Sequence, residues 1–264
     1  MVTEGDMIRF NYNSRVFEIC FENYVISSAY QELRNELGHV YGHEALCRIK
    51  ENGIEVAPCK FFEYLESRSF VEMVELNMLI VNMHLKGFRY SSIYDSRSKL
   101  FINMLPSFFK IIYQNEEMLQ ILVRAILIED IKLHQLVLEI TESPCPIDDL
   151  VEFYLGVEKL RSKGILIAID DFGTGYSDFS RVAAIKPHYV KVSRELLLYS
   201  QIFKNNELRK LAALSQTENI TLVYEGIEYL EQYEFAKSNG ARLYQGYLLS
   251  KPVHHAISQM PCYF

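Results

Sequence analysis

The chain has 264 residues, of which 49% are hydrophobic and 23% charged, as is typical of a globular protein with a large buried core. Its formal net charge of −7 excludes a general basic field, so we expect no binding to duplex DNA or to an anionic membrane surface. The five cysteines form no C-x-x-C pair, which argues against a disulfide scaffold or a zinc knuckle, and we predict a cytoplasmic protein without membrane spans.

Short apolar, β-branched segments alternate along the chain with longer segments of helical period. We predict strands at residues 25–33, 40–48, 99–103, 136–140, 165–169, 189–192, 221–224 and 242–245. We predict helices at residues 59–85, 107–129, 147–163, 194–217 and 229–239. Several boundaries carry a helix-start or helix-stop residue, such as Pro58 before the first helix and Gly240 after the last.

Eight predicted strands with intervening helices favour an α/β fold of the (β/α)8 TIM-barrel type. A doubly wound open sheet is the alternative, but no G-x-G-x-x-G sequence opens a predicted helix. No linker rich in proline, glycine or serine divides the chain. We expect residues 1–23 to form an N-terminal extension packed on the barrel, and residues 24–264 to form the domain itself.

Two adjacent carboxylates, Asp170 and Asp171, follow a continuous apolar run at residues 165–169 and precede a glycine-rich turn. Neighbouring side chains on a strand point to opposite faces, so both can reach one site only if the backbone bends where the strand ends. Two anions held this close repel each other unless a cation lies between them. The pair therefore predicts a divalent metal site.

Most other predicted strands also carry a polar or charged side chain near an end. The carboxyl ends of parallel barrel strands meet at one rim, which is where barrel enzymes carry out their chemistry. We expect the following side chains to meet at that rim: Glu44, Asn103, Glu139, Asp170, Asp171, Lys191, Glu225 and Gln245.

The residue types indicate which metal would bind. Carboxylates and an asparagine carbonyl are hard oxygen donors that favour magnesium or manganese, with calcium expected as an inert, inhibitory occupant. The candidate ligands, more than one magnesium ion takes from a protein, are Glu44, Asn103, Glu139, Asp170, Asp171 and, as a sixth, Glu225. Two ions bridged by a carboxylate and a water fit this set better than one, and phosphodiester hydrolysis is the reaction class that follows.

Two basic side chains are candidates for contacts with the reacting phosphate. Lys191 lies in the predicted sixth strand, where it can orient the attacking water or stabilise the charge that develops at phosphorus. Arg48 offers a planar fork of donors that matches a phosphate group.

Together these motifs resemble the EAL domain of bacterial cyclic di-GMP phosphodiesterases, over roughly residues 24–256. The family's name appears here as Glu44-Ala45-Leu46. The other matching strings are Tyr30-Gln31, Pro58 with Phe61, residues 138–142, residues 170–177, Lys191, residues 225–228 and Gln245-Gly246-Tyr247 with Pro252.

The resemblance implies a role for each matching residue. The metal ligands would be those named above, and the catalytic groups would be Lys191, Glu225 and Glu44. The substrate contacts would be Gln31, Leu46, Arg48 and Gln245. A loop between the metal site and a dimer contact would be stabilised by Glu142, Phe172, Gly173, Thr174, Gly175, Tyr176 and Ser177.

The resemblance also implies the activity, which is opening of one phosphodiester of cyclic di-GMP to give linear 5′-pGpG. It implies a bacterial, cytoplasmic homodimer whose contact is formed by the helices after the fifth and sixth barrel strands. It further implies that the first barrel strand is antiparallel to the others.

The chain departs from the family pattern at several positions near the predicted pocket. Glu32 replaces a proline, Ser193 replaces an aspartate just past the catalytic lysine, and Tyr224 replaces an alanine before Glu225. The Asn-x-Ser motif is Asn103-Met104-Leu105 here. None of these changes removes a predicted metal ligand, so an active enzyme is the favoured hypothesis.

Two alternatives stay open at this point. Some EAL proteins have lost catalysis and act as cyclic di-GMP sensors or as protein-interaction modules. In the second alternative, the chain is a phosphodiesterase that acts on another nucleotide, such as cyclic di-AMP or pGpG.

Overall fold

The computed structural model describes residues 8–203 and 206–258. Its strands, in chain order, are β1 (Ile8–Asn11), β2 (Val16–Phe21), β3 (Tyr24–Asn35), β4 (Val40–Glu51), β5 (Ile54–Val56), β6 (Lys99–Met104), β7 (Leu136–Ile140), β8 (Leu166–Phe172), β9 (Tyr189–Val192), β10 (Thr221–Tyr224) and β11 (Leu243–Tyr244). All eight strands predicted from the sequence are present, and β1, β2 and β5 were not predicted.

The eight predicted strands close into a barrel. Strand β3 pairs with β4 on one side and with β11 on the other, and the remaining order is β4, β6, β7, β8, β9, β10, β11. Every pair from β4 round to β11 is parallel, whereas both pairs that β3 makes within the barrel are antiparallel. The predicted barrel and its antiparallel first strand are therefore confirmed.

The helices lie between these strands and cover the outside of the barrel. They are α1 (Pro58–Glu66), α2 (Phe70–Arg89), α3 (Pro106–Gln114), α4 (Glu116–Ile128), α5 (Leu150–Ser162), α6 (Phe179–Ile185), α7 (Arg194–Phe203), α8 (Glu207–Glu218) and α9 (Leu230–Ser238). Helix α6 was not predicted, since its seven residues are too few for a clear helical period.

Two predictions of single long helices were wrong. The segment 59–85 is interrupted at Ser69, which starts α2 with a reciprocal capping box to Glu72. The segment 107–129 is interrupted at Asn115, whose extended backbone ends α3 and whose side chain accepts a hydrogen bond from the Met118 amide. The predicted helix 194–217 is described as α7 and α8, and residues 204 and 205 lie outside the described residues.

An antiparallel sheet extends the barrel at one side. Strands β3 and β4 continue past the barrel as a hairpin, to which β2 and β1 add on one edge and β5 on the other. Helices α1 and α2 cover one face of this sheet through a separate apolar core that includes Ile19, Ile49, Phe61 and Leu76. The predicted N-terminal extension thus contains β1 and β2, while its residues 1–7 lie outside the described residues.

The barrel interior is filled by one layer of buried apolar side chains near the amino-terminal ends of the parallel strands: Leu33, Phe101, Val137, Ala168, Tyr189, Val223 and Leu243. This layer fills the barrel near the amino-terminal ends of the parallel strands, and barrel enzymes bind their ligands at the opposite, carboxyl-terminal mouth. Within the described residues, no helix combines the length and apolarity that crossing a membrane requires.

Candidate active site

A ring of polar side chains lies directly above the apolar layer. Inward-facing residues on a strand recur every second position, so the residue two positions beyond Val137 is Glu139, and the residue two beyond Tyr189 is Lys191. The same spacing on the other strands completes the ring with Gln31, Asn103, Asp170, Glu225 and Gln245, and β4 adds Glu44. The sequence prediction that these strand ends share one rim is supported by this spacing.

Lys191 is the centre of the ring. Its side chain is only 1% exposed, and its Nζ lies 2.8 Å from a carboxylate oxygen of each of Glu139, Asp170 and Glu225. A fourth carboxylate oxygen, from Glu44, lies 3.4 Å away. One buried cation therefore faces four carboxylates, which leaves a large excess of negative charge in a site of low dielectric constant.

The protonation equilibria reflect this excess. Burial and the neighbouring carboxylates raise the pKa of Glu139 and of Glu225 well above the usual value, although the charge of Lys191 opposes the shift. The surrounding carboxylates hold the pKa of Lys191 well above its usual value despite burial, so the ammonium stays charged. Such a cluster holds protons in the absence of other cations and would exchange them for metal ions.

The end of β8 bends, as the paired aspartates require. Asp171 has a left-handed backbone with φ of 47°, and the pairing of β8 with β9 shifts register between Ile169 and Phe172. The bend turns both aspartates to the mouth, and one oxygen each from Asp170, Asp171 and Glu225 lie within 4.8 Å of one another. Burial and the charge of Asp170 raise the pKa of Asp171 to about 7.

A second group of oxygens surrounds Glu44. Its two carboxylate oxygens accept hydrogen bonds from Asn103 Nδ2 at 2.8 Å and from Gln245 Nε2 at 2.7 Å. Burial raises the pKa of Glu44, but the charge of Lys191 and these two amides outweigh burial, so the net shift is downward.

The Asn103 amide bears directly on metal binding. Its Oδ1 is buried and finds no hydrogen-bond partner among the described residues. A buried carbonyl oxygen without a partner costs free energy that a bound cation would recover. Together with the carboxylates, it makes a donor set that fits hard divalent cations such as magnesium or manganese.

A cleft of about 360 Å³ opens above the polar ring. Gln31, Glu44, Leu46, Asp171, Glu225 and Gln245 are among the residues that line it. Arg48 does not line this cleft. It lies further along β4, opposite Ser27 of β3, and lines a neighbouring cleft of about 320 Å³ on the uncovered face of the antiparallel sheet.

The loop after β8 is held by main-chain hydrogen bonds. The Thr174 amide and hydroxyl both donate to the Asp171 carbonyl, and the Gly173 amide donates to the Ser177 carbonyl. On its other side the loop meets Glu142, whose carbonyl accepts a hydrogen bond from the Tyr176 amide at 3.0 Å. Phe172 is buried at the base of the loop.

Comparison with known proteins identifies the family, because the sequence model described as EAL domain matches residues 21–252. The chain belongs to the EAL domain family. One relative is the Escherichia coli protein named Probable cyclic di-GMP phosphodiesterase PdeI, which is 32% identical over 222 residues, or 81% of this chain. Another is the E. coli protein named Probable cyclic di-GMP phosphodiesterase PdeD, 33% identical over 162 residues, or 58% of this chain. The EAL chain spans 27% of the length of each of these two relatives.

Two solved structures are similar to this EAL domain. The Bacillus subtilis YkuI protein, in complex with cyclic di-GMP and calcium, is 27% identical with a TM-score of 0.73, covering 86% of this chain and 55% of the other. The Klebsiella pneumoniae BlrP1 manganese and cyclic di-GMP complex is 25% identical with a TM-score of 0.71, covering 86% of this chain and 56% of the other.

Three departures from the EAL pattern lie beside the mouth, and each makes a hydrogen bond of its own. Tyr224 is fully buried on the outer side of β10, and its hydroxyl donates to the Asn239 carbonyl. Ser193 caps α7, because its Oγ accepts the Leu196 amide hydrogen at 3.1 Å. The Glu32 amide, which a proline would lack, donates to the Ser250 hydroxyl at 3.2 Å.

The cleft also contains residues to which the sequence analysis assigned no role. Arg194, Glu195, Glu228 and Tyr247 line it together with the predicted residues. Arg194 is the only cationic side chain among the described residues that line the cleft, and it forms an ion pair with Glu228 at 2.9 Å. Its position three residues after Lys191, just past the end of β9, was the available sequence signal.

Proposed function

We propose that this EAL domain is a metal-dependent phosphodiesterase that hydrolyses cyclic di-GMP to linear 5′-pGpG. The observation that carries the proposal is the arrangement of four carboxylates around the buried ammonium group of Lys191, with Asp171 as a fifth carboxylate at the mouth. This excess of negative charge would repel an anionic dinucleotide unless divalent cations also bind there.

The oxygen donors divide into two neighbouring groups that share Asp170. Asp170, Asp171 and Glu225 would hold one ion, whereas Glu44, Asn103 and Glu139, with Asp170, would hold the other. When bound, two such ions would lower the pKa of a shared water and neutralise phosphoryl oxygens. Magnesium and manganese suit this chemistry, and we expect calcium to bind without supporting turnover.

Lys191 and Glu225 are proposed to orient the attacking water, with Glu44 as the third catalytic group. The three donors of the Lys191 ammonium face the carboxylates of Glu139, Asp170 and Glu225, so one of them would be released to the charge that develops on the phosphoryl group when divalent cations hold those carboxylates. Gln245 would fix the orientation of Glu44 through the hydrogen bond to Oε2.

The substrate is proposed to lie across the mouth. Gln31, Leu46 and Gln245 would contact the part of the dinucleotide above the metal site. Arg48 follows Glu44 by four residues on the same strand face, about 13 Å further along β4, so it would contact the distal part. Arg194 supplies the positive charge within the cleft itself and is proposed to bind a phosphate or guanine oxygen.

We propose that the domain works as a homodimer. Helix α7 follows the sixth barrel strand and exposes a cluster of large apolar side chains: Tyr199, Ile202 and Phe203, which are 51%, 71% and 64% exposed. In the loop after β8, Tyr176 is 59% exposed. Burial of such a patch against a second copy would remove apolar surface from water.

We further propose that residues 1–23 form an extension of a domain that occupies residues 24–264, in the cytoplasm of a bacterium. The pairing of β2 with β3 supports a packed extension, since it adds two strands to a sheet that the barrel strands already form.

The deciding experiment measures hydrolysis of cyclic di-GMP, cyclic di-AMP and pGpG with magnesium, manganese or calcium. We expect turnover of cyclic di-GMP to pGpG with magnesium or manganese and none with calcium. Tight binding of cyclic di-GMP without turnover in the presence of any of these metals would refute the proposed enzyme activity and favour the alternative that the domain is a cyclic di-GMP sensor. Preferential turnover of cyclic di-AMP or pGpG would instead reassign the substrate.

A further inference from the structure

Arg181 of α6 is a buried arginine next to the mouth that the proposed chemistry does not use. The residue is only 7% exposed. Its Nη1 donates to the Thr141 carbonyl and its Nη2 to the Ser143 carbonyl, both at 2.9 Å. A planar guanidinium that binds two carbonyls at once fixes their relative positions, and these two carbonyls flank Glu142.

The segment held by Arg181 supports the loop after β8. Glu142 uses its own carbonyl to accept the Tyr176 amide hydrogen at 3.0 Å. Gly175, with φ of 47°, lies so close that a Cβ there would be 2.7 Å from the same carbonyl oxygen. The loop therefore rests directly on the peptide group between the two carbonyls that Arg181 binds.

The other side of the loop holds Asp171. Thr174 donates two hydrogen bonds to the Asp171 carbonyl, at 3.0 Å from its amide and 2.9 Å from its hydroxyl. Asp171 needs this support, because it has a left-handed backbone that an aspartate adopts only at some cost in free energy. A continuous series of contacts thus runs from Arg181 through Glu142 and the loop to Asp171.

We propose that Arg181 is a positioning residue: by fixing the Glu142 segment, it holds the loop that presents Asp171 to a divalent cation. The inference rests on the proposed metal site and names a determinant of its affinity. Groups behind a metal ligand commonly contribute about 10–100-fold to metal affinity.

Arg161 of α5 provides a matched control. Its guanidinium also donates to two consecutive carbonyls, those of Ile185 and Lys186, but at the opposite end of α6 from the mouth. Replacing either arginine by methionine removes two hydrogen bonds to main-chain carbonyls, and Arg161→Met also removes the ion pair with Glu158. Only Arg181→Met, however, breaks the contacts that lead to Asp171.

The test measures manganese binding by calorimetry, amide exchange of Tyr176 in the metal-free protein, and the thermal unfolding midpoint. We expect Arg181→Met to weaken manganese binding about tenfold or more and to speed Tyr176 exchange. Arg161→Met should lower the midpoint similarly but leave manganese affinity within about twofold. Arg181→Lys, which keeps one donor group, should restore part of the affinity.

The proposal is overturned if Arg181→Met binds manganese as tightly as the native protein, or if both methionine variants lose affinity equally. If Arg181→Met does not fold, manganese binding by Arg181→Lys and Gly175→Ala tests the proposal instead. The Cβ added in Gly175→Ala displaces Glu142 while Arg181 remains in place. These readouts need no turnover, so a native protein that binds manganese without hydrolysing cyclic di-GMP refutes only the proposed function. If the native protein binds no manganese, the claim about metal affinity is overturned, and amide exchange tests the remaining claim that Arg181 holds the loop after β8. Unchanged Tyr176 exchange in Arg181→Met would overturn that claim as well.

Discussion

The two faces of the barrel strands differ sharply at the mouth. Glu44 points inward, where Lys191 and two amides surround it, whereas the preceding His43 points outward and is buried against Phe88. Burial on that outer side lowers the pKa of His43 to about 4, so the imidazole is neutral and acts as part of the barrel wall. The inner face thus concentrates charge, while the outer face a single residue away is packed like an ordinary core.

The same contrast explains how the site accommodates Tyr224, one of the departures from the family pattern. Glu225 faces the mouth, but Tyr224 faces the helices and satisfies its hydroxyl there. A substitution beside a functional residue therefore has little effect on the site when the alternation of the strand turns it outward. We therefore expect substitutions on the inner face to reduce activity, and substitutions on the outer face to reduce stability.

The largest effect is expected from Asp170→Ala on the inner face. It removes a ligand shared by both proposed ions, so turnover should fall on the order of a thousandfold. The fold should survive, because burial and the charge of Glu44 already raise the pKa of Asp170, so removing this carboxylate relieves desolvation and repulsion. Steady-state kinetics and circular dichroism check this, and Glu44→Ala should behave alike. Full activity in Asp170→Ala would refute the two-metal mechanism.

Lys191→Ala should reduce turnover about a hundredfold while changing KM much less, since the lysine is proposed to act on the water and the developing charge. It also removes the cation beneath four carboxylates. The metal-free variant should therefore unfold at a lower temperature than the native protein, and manganese should restore most of the difference. A variant that loses affinity for cyclic di-GMP but keeps kcat would contradict this role.

Manganese affinity should depend on pH through Asp171. Its pKa of about 7 means that a bound metal displaces a proton from Asp171 below that pH, and the raised pKa values of Glu139 and Glu225 add further protons that a metal must displace, so affinity should rise by about tenfold or more per pH unit up to about 7 and should keep rising above it. The pKa of Asp171 in the folded protein is raised above its ordinary value of 3.8, so this group stabilises the metal-free fold at low pH and loses that contribution between about pH 4 and 7. Calorimetric titrations at several pH values measure the slope, and a flat profile from pH 5 to 7 would argue against Asp171 as a ligand.

Arg194→Met tests a side chain that lines the cleft above the polar ring. A charged hydrogen bond to substrate contributes about 1.5–3 kcal/mol, so KM for cyclic di-GMP should rise by about tenfold to a hundredfold with little change in kcat. Glu228→Gln is the matched control, because it frees the guanidinium from its ion pair without removing it. An unchanged KM in Arg194→Met would show that the arginine only pairs with Glu228.

The smallest effect on activity is expected on the outer face, from Tyr224→Phe. It removes the hydrogen bond to the Asn239 carbonyl, which should cost about 1 kcal/mol of unfolding free energy. Kinetic constants should stay within about twofold of the native values. A large loss of turnover would break the comparison, because it would mean that the two faces of β10 are energetically coupled.

Much of this architecture could be predicted from local sequence. The barrel strands were recognisable as short apolar runs, and β7, β9 and β10 match their predicted bounds. Helix breaks at Ser69 and Asn115 were missed, because a capping side chain interrupts a helix without disturbing the apolar period on which the prediction relied. Strands β1, β2 and β5 were missed because they form only by pairing with the long hairpin of β3 and β4.

The sequence by itself determined which residues carry the charge and that they follow apolar strands, because each charged residue lies next to its apolar segment in the chain. Only the tertiary structure decided that Lys191 lies beneath four carboxylates from four strands, that Arg194 enters the cleft, that Arg48 lies outside it and that Arg181 holds the Glu142 segment. Barrel closure and the bend at Asp171 set these distances, and both depend on pairing between segments far apart in the sequence.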